Sequence, residues 1–134
     1  MPEDPRHEEE PNFTLAEAER LIPKMKIWMG RLMERKAFLD GIGFDVFRGR
    51  YAEGKDPNGY GLYPQAFSEF VGEVQRFSGS GAQIRSIDEG VVGFHARRRS
   101  GEAVLLVWHH PEDRIEWWHP LETGYEDRRP ILDF

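Results

Sequence analysis

Along these 134 residues the spacing of apolar side chains changes period once, near Ala82. Upstream they recur at three- and four-residue steps, the repeat of a helix face; downstream they come in short runs between Gly and Pro turns, the signature of strands. Helices first and strands afterwards argue an α+β domain and not a wound parallel fold. A mass of 15.6 kDa allows one ordinary domain with a real core, read here as residues 13–134.

Thr14 and Glu17 have the T-x-x-E spacing of a capping box, with Phe13 just before the cap, so a helix starts here. Leu15, Ala18, Ile22, Met25, Met29, Leu32 and Leu39 then follow one face, with Lys36 in the slot between the last two. From Leu15 to Leu39 such a helix would run roughly 37 Å, longer than a core of this size covers, so something else must pack along it. Pro23 removes the hydrogen bond to the Glu19 carbonyl and crowds that carbonyl. Because the apolar stripe continues past it, a kinked continuous helix is expected in preference to a break. Residues 41–61 hold six glycines and a Pro57-Asn58-Gly59 turn, with Phe44, Phe47, Tyr51 and Tyr60 among them, a loop whose aromatics should pack back onto the fold. A second helix after Pro64 carries Phe67, Phe70, Val71, Val74 and Phe77 and stops at Ser78-Gly79-Ser80-Gly81. The two form an antiparallel helical hairpin, packed on the sheet that follows.

Strands are expected at Ala82–Ile87, Val91–Arg98, Glu102–His109 and Arg114–His119. The turns between them are short, so the sheet is a small antiparallel β-meander. If Ser100-Gly101 and Glu112-Asp113 are two-residue loops, Phe94 lies opposite Val107 and Trp108 opposite Trp117. One face then carries Val92, Phe94, Ala96, Leu105, Val107 and Trp118, the other Val104, Leu106, Trp108, Ile115 and Trp117. Both faces are apolar, and a helical hairpin covers only one. The second must meet another subunit, the aromatic loop or a ligand. Burying ~400 Å² of it would contribute about 10 kcal/mol before ordering costs, enough to drive homodimerisation.

The formal net charge is −6. Residues 1–12 hold five carboxylates against Arg6, which leaves −2 for the rest. With prolines at 2, 5 and 11 and no large apolar group, this stretch reads as a disordered acidic tail. An acidic chain lacks the general attraction that drives nucleic-acid binding, so no nucleic-acid partner is expected. No apolar run approaches the ~20 residues of a membrane span, and residues 1–12 do not resemble a secretory leader, so a cytoplasmic protein without membrane attachment is expected. Cys is absent, which removes thiolate nucleophiles and leaves His and carboxylates as candidate metal ligands.

The blocks Phe13-Thr14-Leu15-Ala16-Glu17-Ala18 with Leu21-Ile22-Pro23, Asp88-x-Gly90-x-Val92-x-Phe94, Trp108, Glu116-x-Trp118-His119, Gly124-Tyr125 and Arg128-Arg129-Pro130 occur in this order. Over about residues 12–131 they resemble the small prokaryotic family of domain of unknown function 2203. The resemblance implies a helical hairpin followed by a small sheet, and no established activity. The family's usual residues are Asp at position 93, Pro at 95, Cys at 107 and Arg at 109, where this chain has Gly93, His95, Val107 and His109. Any site built on that Asp or Cys is missing here.

The strongest chemical cluster is His95, His109, His110, Glu116 and His119 on the last three strands. In the assumed register His109 faces Glu116, while His95 and His119 flank Leu106 on the opposite face, ~10 Å apart. Zinc needs its ligand atoms ~2 Å from one point, so these groups do not share an ion, and a His109–Glu116 pair with one further ligand is the remaining metal site. No H-E-x-x-H, Walker, dinucleotide or nucleophile-elbow spacing is present. Trp108, Trp117, His119, Leu106 and His95 are the candidate binding or interface residues, and the tryptophans serve equally well as core. Arg97, Arg98 and Arg99 at a hairpin tip suit a phosphate or a solvated edge. The leading expectation is a homodimeric interaction or scaffold module without catalytic activity or cofactor. The alternative is a small metal-dependent or pocket-based enzyme using His109, Glu116 and His119, with a divalent metal or a small-molecule ligand.

Overall fold

The computed structural model describes residues 12–134, so the tail at residues 1–12 lies outside it apart from Asn12. Thr14 caps α1 (Leu15–Arg20): its hydroxyl accepts from the Glu17 N–H, and the Glu17 carboxylate accepts from the Thr14 N–H. α2 (Ile22–Gly41) follows at once. The kink expected at Pro23 is instead a break at Leu21, where two helices meet while Leu21 keeps helical angles (φ −80°, ψ −16°). Pro23 thereby falls in the first turn of α2, where an absent N–H has no partner to lose.

α3 (Gln65–Ser80) ends at Gly81, whose φ of 90° places it in the left-handed region. Contacts between Arg35 and Glu69, Arg31 and Glu73, and Trp28 and Phe77 pair early residues of one helix with late residues of the other, so α2 and α3 are antiparallel. Between them the aromatic loop forms a two-stranded hairpin, β1 (Phe44–Asp45) with β2 (Arg50–Tyr51). Phe44 packs on Tyr51, Tyr63 and Phe67, so part of the loop folds back onto the helical layer. Phe47 and Tyr60 remain exposed.

The sheet is a five-stranded antiparallel meander: β3 (Gln83–Ser86), β4 (Val91–Arg97), β5 (Ala103–His109), β6 (Trp117–Pro120) and β7 (Arg129–Pro130) in that order. Together with the helices before it, it makes the α+β architecture read from the change of period. Two-residue β7 is too short to leave a pattern in the sequence. Its place is fixed by pairing with β6 and by the Trp118 indole, which donates to the Pro130 carbonyl at 3.1 Å.

The assumed register is off by one at both hairpins. Phe94 pairs with Leu106 and Arg97 with Ala103, and the Arg98 N–H donates to the Glu102 carbonyl at 3.0 Å. The tip is therefore the three residues Arg99-Ser100-Gly101, with Gly101 at φ +92°, a common hairpin solution that needs a left-handed glycine. In the second hairpin Val107 pairs with Trp117 and Leu106 with Trp118. A one-residue slip sends every side chain of a strand to the other face. The inner face is consequently Val92, Phe94, Ala96, Val104, Leu106, Trp108 and Trp118, all buried against Met25, Met29, Leu32 and their neighbours. The outer face carries Val91, Gly93, His95, Leu105, Val107, His109, Trp117 and His119. Its centre is as well buried as a core, with Leu105 at 3% and Val107 at 1% exposure within one chain. Neither the aromatic loop nor a second subunit provides that cover. The chain's own C-terminal segment does so in part: the Arg128 guanidinium lies over the rings of Trp117 and Tyr125, at 5.3 and 4.5 Å.

Candidate functional site

A cavity of about 230 Å³ opens over the outer face. Alternation along β4 and β5 supplies its apolar floor, Val91, Leu105 and Val107, and the next strand contributes His119. Arg85, Ser86 and Glu89 form one rim, from β3 and the turn that leaves it, and Tyr125 stands at the other. Tyr125 is held by a 3₁₀ turn, Tyr125–Asp127, that the chain makes after leaving β6.

His119 is 5% exposed. Its Nδ1 lies 2.8 Å from the Pro120 carbonyl oxygen. A carbonyl only accepts, so this nitrogen carries a proton and Nε2 of the neutral ring is the acceptor. Among the described residues no donor reaches Nε2. Among the described residues the one fully buried side-chain nitrogen or oxygen without a partner is His110 Nδ1, so His119 Nε2 opens to accessible space. The ring is a wall of the cavity.

At the far rim, the Tyr125 hydroxyl and His109 Nε2 are 2.6 Å apart, and the Glu112 carboxylate lies 3.4 Å from His109 Nδ1. The carboxylate also accepts the His109 backbone N–H at 3.1 Å. A proton on Nδ1, facing the carboxylate, makes Nε2 the acceptor of the Tyr125 O–H. The phenolic oxygen then keeps its lone pairs for whatever occupies the cavity. Strings of carboxylate, imidazole and hydroxyl of this kind orient a hydroxyl and accept its proton in general acid–base chemistry.

His95, His109 and His119 share the outer face, contrary to the expectation that His109 lies apart from the other two. His95 and His119 flank Leu105, not Leu106, two strand spacings or ~10 Å apart. The carboxylate beside His109 is that of Glu112; Glu116 lies exposed outside β6, engaged through its backbone carbonyl by the Ile131 N–H. Among the described residues no three His, Asp or Glu side chains are placed to hold a metal ion. Trp108 and Leu106 belong to the inner face at 0% exposure, and Trp117 is half-buried beneath Arg128. His110 packs edge-on to Trp108, and burial first, then the charge of Lys26, hold its pKa below the usual histidine value. Arg98 at the hairpin tip binds Glu102 and the carbonyls of Asp133 and Phe134.

Sequence reasoning missed Tyr125, Glu112 and the Arg85–Glu89 rim. Tyr125 did leave a signal, an aromatic directly after Gly124 in a stretch otherwise polar, but only the fold brings it back over β5. Gly93, His95, Val107 and His109 all lie on this outer face. No curated protein and no solved structure matches the chain. A model of the family described as an uncharacterised conserved protein, domain of unknown function 2203, matches residues 12–131, and the chain belongs to that family.

Proposed function

We propose that this protein is a binding module that holds a small organic molecule in the cavity over the outer face of its sheet. The observation that carries the reading is His119, nineteen-twentieths buried with one ring nitrogen unpaired, in the wall of that cavity. That nitrogen opens onto the cavity, where a ligand donor can take the place of solvent. At about 230 Å³ the space suits a fragment-sized molecule, below the ~300–1,000 Å³ of ordinary ligand sites. The test is an NMR titration of the isotope-labelled chain with a fragment set. Binding should perturb Val91, Leu105, His119 and Tyr125 together, and a full set that leaves the outer face silent overturns the reading. The Glu112–His109–Tyr125 string gives the same cavity a route to acid–base catalysis, with Glu112 in the place expected of Glu116.

Self-association is the second reading, on a different surface from the one first expected. Phe38 on α2 and Phe47, Tyr60, Leu62 and Tyr63 in the loop beyond it are large apolar groups left in water, and a second copy of the chain is the proposed cover. Solution mass is its test. A cytoplasmic location belongs to the same proposal, supported by the Cys-free, acidic composition; among the described residues no helix is long and apolar enough to cross a membrane.

A further inference from the structure

We infer that the cavity selects small flat molecules presenting N–H donors, amidines and aromatic amides in class, over carboxylates of the same shape. This rests on the reading that the cavity binds a small molecule, and it specifies which kind.

The selectivity comes from which atoms are left over once the protein's own hydrogen bonds are assigned. His119 spends its N–H on the Pro120 carbonyl and offers Nε2 as an acceptor. Tyr125 spends its O–H on His109 Nε2 and offers oxygen lone pairs, because the Glu112 carboxylate holds the imidazole proton on the other nitrogen. Ser86 Oγ already accepts the Glu89 N–H at 3.1 Å, and its hydroxyl proton is the one neutral side-chain donor on the rim. The two charged groups, Arg85 and Glu89, are both exposed and of opposite sign, so water screens them and neither sign dominates the mouth. Beneath lies a dry floor of Val91, Leu105 and Val107, a shape that suits a ring lying flat.

A ligand N–H satisfies Nε2 of His119 in one part of the cavity, or the oxygen of Tyr125 in another. A carboxylate brings lone pairs against lone pairs, and an acceptor that the bound ligand shuts off from water without a donor costs its desolvation. Sites built around one hydrogen-bonding polarity reject the opposite polarity for this reason, more strongly than they reject a change in size.

Benzamidine, benzamide and benzoate share one shape and differ in the edge they present. The experiment titrates each into the full chain carrying ¹⁵N-labelled histidine at pH 8, where an ordinary imidazole is neutral, and follows the ring nitrogens of His119. Expected is a saturable shift of those nitrogens with benzamidine and with benzamide. Both affinities should exceed that of benzoate by about tenfold, and His119→Phe should lower both by a similar factor. Tyr125→Phe, at an exposed position, supplies an independent loss if His119→Phe does not fold. Benzoate binding as well as the donors, with His119 shifted, overturns the selectivity and leaves the binding module standing. Benzamidine binding that leaves His119 unmoved shows attraction to an acidic surface and overturns the inference. No shift with any probe overturns the inference, and a silent fragment set would then remove the binding module as well.

Discussion

The Leu105 side chain packs onto the bare backbone of Gly93: a Cβ at position 93 would stand 2.6 Å from Leu105 Cδ2 and 2.9 Å from its Cγ, so Leu105 would have to shift to admit one. Because Leu105 is also the floor of the cavity, Gly93→Ala should push its side chain outward into that space. We expect a loss of about 1–3 kcal/mol, the usual range for overpacking, measured by urea unfolding, together with weaker fragment binding. Unchanged values for both would show that the floor gives way freely. His110 supplies a second residue-scale prediction. Its folded-state pKa is lowered, by burial first and by Lys26 second. As pH falls the unfolded chain takes up that proton first, so stability is complete above about pH 6.5 and declines below it, levelling once the folded ring is also protonated. His110→Phe keeps a ring against Trp108 and should flatten the stability profile between about pH 7.5 and pH 5.5. A profile as steep as that of the unmodified protein would assign the dependence elsewhere.

At the scale of elements, Lys36 fills a core slot of α2 and is only 8% exposed. Its ammonium reaches Asp40 on its own helix at 2.9 Å and Asp88 in the turn after β3 at 2.8 Å, so it ties helix to sheet. Asp88 first and Asp40 second hold its pKa above the usual lysine value. A half-sunken ion pair gains little beyond the desolvation of its members. Lys36→Met should therefore change the unfolding free energy by no more than about 1 kcal/mol, and a loss beyond about 3 kcal/mol would mean that the pairs stabilise far more than geometry suggests. Much at this scale was legible beforehand. The capping box, the stop at Gly81 and the helix-then-strand order are local signals, and local signals survive into the fold. Pro23 was misjudged because an apolar stripe shows only that both sides face one core, and two abutting helices satisfy it as well as one bent helix. The sheet register was misjudged because Ser100-Gly101 is a legitimate two-residue turn, and only the Arg98 pairing with Glu102 adds Arg99 to the loop.

Whole-molecule properties follow from that register. With the centre of the outer face buried within its own chain, the greasy back-to-back sheet no longer demands a second subunit, and the proposed self-association rests on the exposed aromatics around α2 and the loop after it. Light scattering should give a mass near 31 kDa for a pair of 15.6 kDa chains, and Phe38→Glu with Tyr63→Glu should return it to that of one chain. A single-chain mass for the unmodified protein would remove the self-association reading while leaving the cavity untouched. The site was the least legible feature. His119 and His109 were visible as candidates, but which groups they meet depends on strand parity and on a segment that returns from beyond β6, and neither is encoded within a few residues of either histidine.

The glycine at the tip between β4 and β5 has a genetic consequence. Losing one codon of Arg99-Ser100-Gly101 would leave Arg98 opposite Glu102 across a two-residue turn and the two linings of β5 as they are, so the demand the tip makes is conformational and falls on Gly101 at φ +92°. Lineages of this protein should therefore tolerate substitution at Arg99 and Ser100 far more readily than at Gly101, where a side chain meets a left-handed backbone.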